Sequence, residues 1–317
     1  GHANARFNLA YLLLRQGRFT EGWACLEARD WYRGLAAHLP FARWQGEPLA
    51  GQNILIGIEA GHGDMIQFCR YAPRLKAAGA ARVGILCHPG LKALFATLDG
   101  VDTAIALGEP IAGQWDFWVP PLSLPFLFQT RLDTIPARLP YLAPPPDRRA
   151  QWADRALPEG LKVGLVWRGN PRFENDAERS LPSLATLAPL WRVAGAGFVS
   201  LQKGEGEDEA LHPPEDQPLL ALGQDFGDFA DTAALIARLD LVIAVDTGIA
   251  HLAGALGVPC WILLPSYKPD WRWLTARSDS PWYPGVVRLF RRQADWADTV
   301  EEVAAALEEF VRSARER

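Results

Sequence analysis

Two successive α/β domains, each built on a parallel sheet, are what this sequence predicts. Three observations carry that prediction. Strand-like apolar runs alternate with helix-length segments over residues 53–107 and again over 162–265, and such alternation implies parallel strands joined by right-handed crossovers. Pro144-Pro145-Pro146 separates the two series as a stiff, extended linker. The chain has 317 residues, more than one hydrophobic core comfortably serves.

The elements follow in order. Residues 5–35 read as two short helices: Phe7, Tyr11 and Leu14 keep helical spacing, Gly17 breaks the chain, and Phe19, Trp23 and Leu26 resume the pattern. The period then changes. ILIGI (54–58) is a buried strand, Gly61-His62-Gly63-Asp64 a turn, and 65–79 a helix ending at Gly79. RVGILC (82–87) is the second strand, 90–98 a helix, and VDTAIAL (101–107) the third strand; 115–145 is rich in Trp, Pro and Leu. In the second series KVGLVW (162–167) is a strand, 168–180 a polar loop, 183–194 a helix and FVSLQ (198–202) a strand. A helix over 231–239, the strand LVIAV (241–245), a helix over 248–256 and the strand WILLP (261–265) complete it. The segment 269–292 reads as an aromatic loop with Trp271, Trp273, Trp282 and Tyr283, and 297–313 as an amphipathic helix with Val300, Val303, Leu307 and Phe310 on one face.

Composition narrows the class. Apolar residues make up 49% and charged residues 22%, which suits a folded globular chain. A formal charge of -5 argues against a nucleic-acid partner, which needs a clustered basic surface. No apolar run approaches the roughly 18 residues of a membrane span, and no signal-peptide layout opens the chain. Cys25, Cys69, Cys87 and Cys260 are scattered, as free thiols in a reducing compartment would be. A cytoplasmic protein without a structural metal is the expectation.

Three segments carry candidate chemistry. In 239–265 a strand delivers Asp246 to the sheet's carboxyl edge, where Thr247-Gly248 open a helix. The first amides of a helix lack internal partners and favour an anion in front of them. His251, one turn on, shares that face. The same spacing equally describes a helix cap and an interior histidine. In 56–68 two glycines follow a strand, but Ile66 stands where a dinucleotide fingerprint needs its third, so hydride chemistry loses ground. Asp64 is either an N-cap or a general base there. In 166–182 the polar loop holds Arg168, Asn170, Arg172 and Arg179, which either clamp a pyrophosphate or are solvated loop charges. Gln202 and Lys203 stand at the end of the next strand, where a plain surface turn is at least as good a reading.

Taken together and in this order, GHGDMIQFCRY, GLVWRGNPRFENDAERSLP, SLQKGE, DTGIAHLAGALGVPCWILLP, PDWRWL and SPWYPGVVRLFRR resemble the family-9, heptosyltransferase-like glycosyltransferases. More closely they resemble the tetratricopeptide-repeat proteins that carry such a domain; NLAYLLLRQGRFTEGW looks like one such repeat. The resemblance implies a GT-B fold of two Rossmann-like domains. The expected layout is 1–45 as a tetratricopeptide-like helical remnant, 46–147 as the acceptor-side domain and 148–295 as the nucleotide-sugar domain. The helix 296–317 is expected to pack back on the N-terminal domain.

The resemblance further implies inverting, metal-independent sugar transfer, with the nucleotide-sugar in the interdomain cleft as substrate and no cofactor. It assigns Asp64 as base, with Gly61, His62 and Gly63 in its loop. It assigns the donor to Asp246, Thr247, Gly248 and His251 and its phosphates to Arg179, with Arg168 second; Asn170 and Lys203 join this donor and phosphate set from the loops after the strands. The chain departs from heptosyltransferases in its short first α/β domain and in His62 between the loop glycines, which leaves protein, peptide or glycan open as acceptor. The competing reading is a non-catalytic nucleotide-sugar-binding or interaction scaffold. An epimerase on the same fold would need further acid/base groups that the sequence does not offer.

Overall fold

The computed structural model of the chain describes residues 2–316. It divides into two compact units. One is the chain up to Pro145 together with Asp228–Ala230 and Asp270–Ala276; the other is Pro146–Gly227, Asp231–Pro269 and the chain from Arg277 on.

The first unit holds a five-stranded sheet: β1 (Ala42–Arg43), β2 (Asn53–Ile56), β3 (Arg82–Cys87), β4 (Thr103–Ala106) and β5 (Phe117–Val119). Its order is β1-β5-β2-β3-β4 and every pairing is parallel. Ile54, Leu55 and Ile56 are wholly buried, because a parallel sheet covered on both faces wants continuous apolar runs rather than alternation. Gly84 in β3 is a packing necessity: a Cβ there would stand 2.3 Å from the ring of Trp115. The strands β1 and β5 lie in segments read as connections, since two- and three-residue strands leave too little periodicity to notice. The helix expected over 65–79 is broken into His62–Phe68, a 3₁₀ turn Cys69–Tyr71, and Ala72–Ala77. Pro73 disfavours continuous α geometry just before it. The helix expected over 90–98 is likewise reduced to Lys92–Phe95 behind a 3₁₀ turn.

The two N-terminal helices, Ala3–Arg15 and Phe19–Leu26, turn on Gly17 at φ 77°. They fall within the first unit. Trp23 is 1% exposed; its Nε1 donates to the Thr130 carbonyl at 2.9 Å, and its ring meets Trp271 edge-on at 5.3 Å. Behind them the buried Arg29 guanidinium donates to Glu59 at 2.6 and 3.1 Å and to Ser123 Oγ at 2.8 Å. A buried charge is tolerated only when paired in this way.

The second unit holds β6 (Leu161–Val166), β7 (Ala196–Ser200), β8 (Leu220–Ala221), β9 (Leu241–Val245), β10 (Cys260–Leu264) and β11 (Val287–Arg291). The order is β11-β10-β9-β6-β7-β8, again parallel throughout. All five residues of β9 are buried. Within 269–292, read as loop, Val287–Arg291 is in fact an edge strand on β10; VVRLF carried that signal beneath its flanking arginines. The segment expected as a helix over 183–194 is a 3₁₀ run, Leu184–Arg192, with Pro189 inside it removing a backbone donor. The last helix, Trp296–Arg315, is capped by the Asp295 carboxylate accepting from the Asp298 N–H at 2.9 Å. It buries Val300, Val303, Leu307 and Val311 in the core of the second unit itself, where the sequence reading offers the N-terminal domain. Among the described residues no helix is long and apolar enough to cross a membrane.

Candidate functional site

In the second unit the donor-type residues gather at the carboxyl edge of the sheet, where ligands of parallel α/β sheets bind. The chain leaves β9 through Asp246 and enters the helix Gly248–Ala255 with Thr247 as its N-cap. Thr247 is extended, at φ -141° and ψ 172°, and its hydroxyl makes no cap bond. That Oγ1 is buried without a hydrogen-bond partner among the described residues, an expense that a protein rarely carries without reason. His251 is 5% exposed, and its Nδ1 is 2.8 Å from the Tyr283 hydroxyl. Gly254 makes that contact possible, since a Cβ there would stand 2.5 Å from the Tyr283 ring. His251 is therefore an oriented interior histidine.

The polar loop after β6 is closed at its root: Leu181 N–H donates to the Trp167 carbonyl at 2.8 Å and Gly169 N–H to Ser180 Oγ at 2.8 Å. Arg179 pairs with the buried Asp176 at 2.6 Å and lies 4.5 Å from the centre of the Phe173 ring. Arg168 turns away to Glu209, at 2.9 Å, and to the Pro182 carbonyl. Asn170 accepts from the Arg172 N–H at 3.0 Å, an Asx turn within the loop. Lys203 donates to the Gly223 carbonyl at 3.1 Å. Gln202, 2% exposed, links the ends of β6 and β7. Its Oε1 accepts from Trp167 and Arg168 N–H, and its Nε2 donates to the carbonyls of Arg168 and Glu205.

The remaining predicted residues lie in the first unit. Gly61 caps the helix His62–Phe68, and Asp64 in its first turn accepts from the Gly61 N–H through Oδ2 at 2.9 Å. This is the acidic half of a capping box; glycine has no side chain to supply the other. The second Asp64 oxygen is ion-paired with Arg272, whose side chain is 6% exposed against 23% for Asp64. Arg272 also grips both oxygens of Asp270 at 3.0 Å, donates to Gln67, and stacks 4.4 Å from the Trp271 ring centre. Burial opposes the Arg272 charge, but the Asp270 and Asp64 carboxylates more than offset it and hold the guanidinium pKa above its ordinary value. Sequence reasoning took PDWRWL for its aromatics and missed this arginine; the acidic residue two before it was the available signal.

His62 is sandwiched between His88, centroids 4.2 Å apart, and Phe229, 5.0 Å apart, with ring planes within 25°. Burial, and then the charge of His88, push its pKa down to about 4. Gly63 sits in the first turn of the same helix. Among the described residues no group of three or more His, Cys, Asp or Glu could hold a metal ion.

The fold so described is α/β with two parallel sheets, and it matches heptosyltransferase structures of the GT-B type. Residues 227–264, which contain β9, Asp246-Thr247-Gly248 and His251, match the family model of glycosyltransferase family 9 (heptosyltransferase). Protein FlbA of Caulobacter vibrioides is 30% identical over 98% of this chain; the chain spans 56% of that relative's length. A solved family-9 glycosyl transferase from Veillonella parvula superposes with a TM-score of 0.61 at 15% identity, covering 84% of this chain and 99% of its own. The E. coli ADP-heptose lps heptosyltransferase II superposes with 0.58 at 15% identity, covering 83% and 99%. These likenesses establish the fold.

Proposed function

We propose that the chain is an inverting, metal-independent glycosyltransferase that moves a sugar from a nucleotide-sugar to a hydroxyl acceptor. The observation that carries this is the Asp246-Thr247-Gly248 turn. It joins a helix N-terminus to a buried, unpartnered hydroxyl, inside the one stretch that matches the family-9 model. Helix amides there meet the charge that develops on a departing nucleoside diphosphate. In the reaction the acceptor oxygen bonds to the anomeric carbon as its bond to the diphosphate oxygen breaks, with inversion. Asp64 takes the hydroxyl proton. A carboxylate offers about four acceptor positions. Gly61 and Arg272 use two of those on Asp64, which fixes its orientation and leaves capacity for the proton. Arg179 assists the diphosphate by exchanging Asp176 for phosphate oxygens, and Asn170, Lys203, Arg168 and His251 shape the same edge.

The E. coli neighbour is an ADP-heptose heptosyltransferase, which makes ADP-heptose the first donor to try. The test is a thermal-shift screen with ADP-, GDP-, UDP- and dTDP-sugars in EDTA, because a ligand of the folded state raises the melting temperature by mass action. A shift with one nucleotide class supports the donor site, and Asp64→Asn should keep that shift while transfer falls by about 10²–10⁴. No shift with any donor would favour the second reading, a non-catalytic scaffold. That reading draws on the engagement of Arg179 with Asp176 and of Arg168 with Glu209.

A further inference from the structure

The loop 168–180 does not stay over the strand that bears it. Both of its ends are fastened at β6, through Trp167–Leu181 and Gly169–Ser180, which makes it a closed Ω-loop. Its outer limb is fastened elsewhere. Asn175 Nδ2 donates to the carbonyls of Tyr267 and Lys268, at 3.1 and 3.3 Å, just beyond β10. Glu178 is ion-paired with Arg292, the residue after β11, and Arg292 also donates to Ser266 Oγ at 3.4 Å. In the sheet order β10 lies two strands from β6 and β11 three. At about 4.8 Å per strand the loop reaches roughly 10 to 14 Å sideways. The strand it must pass on the way is β9, whose carboxyl end is Asp246-Thr247-Gly248.

We infer that 168–180 is a strap drawn across the end of β9, and that Asn175 and the Glu178–Arg292 pair are positioning residues that hold it over the diphosphate-binding turn. The inference rests on the donor site proposed above and deepens it. Neither Asn175 nor Glu178 meets the ligand. They set where Arg172, Arg179 and Phe173 stand relative to Thr247 and Gly248. Pinning the strap beforehand removes an ordering cost that binding would otherwise carry, and it screens the anion from water, where charge contacts are weak.

The strap has a readout that needs no ligand, because trypsin can cut after Arg172 and Arg179. In the wild-type chain these cuts should be slow, and slower with ADP present. Asn175→Ala should speed them several-fold and weaken ADP binding by calorimetry about tenfold, the worth of one or two neutral hydrogen bonds, with the melting temperature of the unliganded chain lowered by no more than a few degrees. Glu178→Arg and Arg292→Glu should each weaken ADP binding, and the two together should restore much of it, which a purely structural role would not do. Faster cutting with unaltered ADP affinity would overturn the inference, as would singles and double that bind alike. If ADP, GDP, UDP and dTDP all fail to bind the wild-type chain, the donor reading itself falls and the strap's function with it. The cleavage rates would still report separately whether Asn175 pins the loop.

Discussion

Arg272 is the group whose removal should be felt most. Arg272→Met deletes a buried cation that holds two carboxylates and the Gln67 amide. Breaking a buried ion pair typically costs about 3–5 kcal/mol, because the stranded charge has lost its compensation. Here the stranded partners, Asp64 and Asp270, keep 23% and 24% of their side-chain exposure, so water can reclaim part of the loss. The lower end, about 3 kcal/mol, is expected. For a unit of this size that corresponds to a fall in melting temperature on the order of 6–12 °C. Thermal unfolding followed by tryptophan fluorescence reads it directly, since Trp271 stacks on the arginine and Trp23 packs against Trp271. Adding Asp64→Asn and Asp270→Asn to the methionine variant removes the uncompensated charges and should recover a good part of the loss. A methionine variant within about 0.5 kcal/mol of wild type, the scatter of surface changes, would refute the view that this pair is an energetic anchor.

Three further outcomes are expected. Thr247→Val should leave unliganded stability unchanged or slightly higher, because the hydroxyl it removes has no partner, while weakening nucleotide affinity several-fold in the same thermal-shift assay. Tyr283→Phe removes the hydroxyl at 2.8 Å from His251 and should cost about 1–3 kcal/mol in urea unfolding, since that partner is buried. His62, held at about 4 against 6.5 unfolded, binds a proton more readily in the unfolded chain. Its contribution is therefore complete above pH 6.5 and is lost as pH falls toward 4. His62→Phe keeps the stack with His88 and Phe229 and should flatten that part of the stability-pH curve.

Both sheets were legible because fully buried parallel strands write themselves as unbroken apolar runs: ILI in β2, VGILC in β3, LVIAV in β9. Strands of two or three residues, such as β1, β5 and β8, carry no such run, and only their neighbours in space define them. Helix ends fared worse wherever proline intervened, at Pro73 and Pro189, since the apolar spacing persists past a residue that removes a backbone donor and disfavours α geometry in the turn before it. Among the candidate site residues, the placement of the Asp246-Thr247-Gly248 turn between a strand and a helix was legible from strand-then-glycine order. What spacing could not reveal was partnership. Arg272 lies 208 positions from Asp64, and Asn175 lies 92 from Tyr267. Long-range pairs of this kind leave no periodic mark in the chain.

The first unit is assembled from three separate stretches, two of them only three and seven residues long, Asp228–Ala230 and Asp270–Ala276. A gene fragment ending at the Pro144-Pro145-Pro146 linker would thus encode neither Phe229, which lies against His62, nor Arg272, which holds Asp64. The reciprocal fragment would carry both as orphans, with Trp271 and Trp273 stripped of their burial. No single cut yields either half whole. The two halves can be exchanged or transplanted between proteins only with those inserts moved alongside, so recombination at the proline linker alone is a break inside a compact unit, not between two.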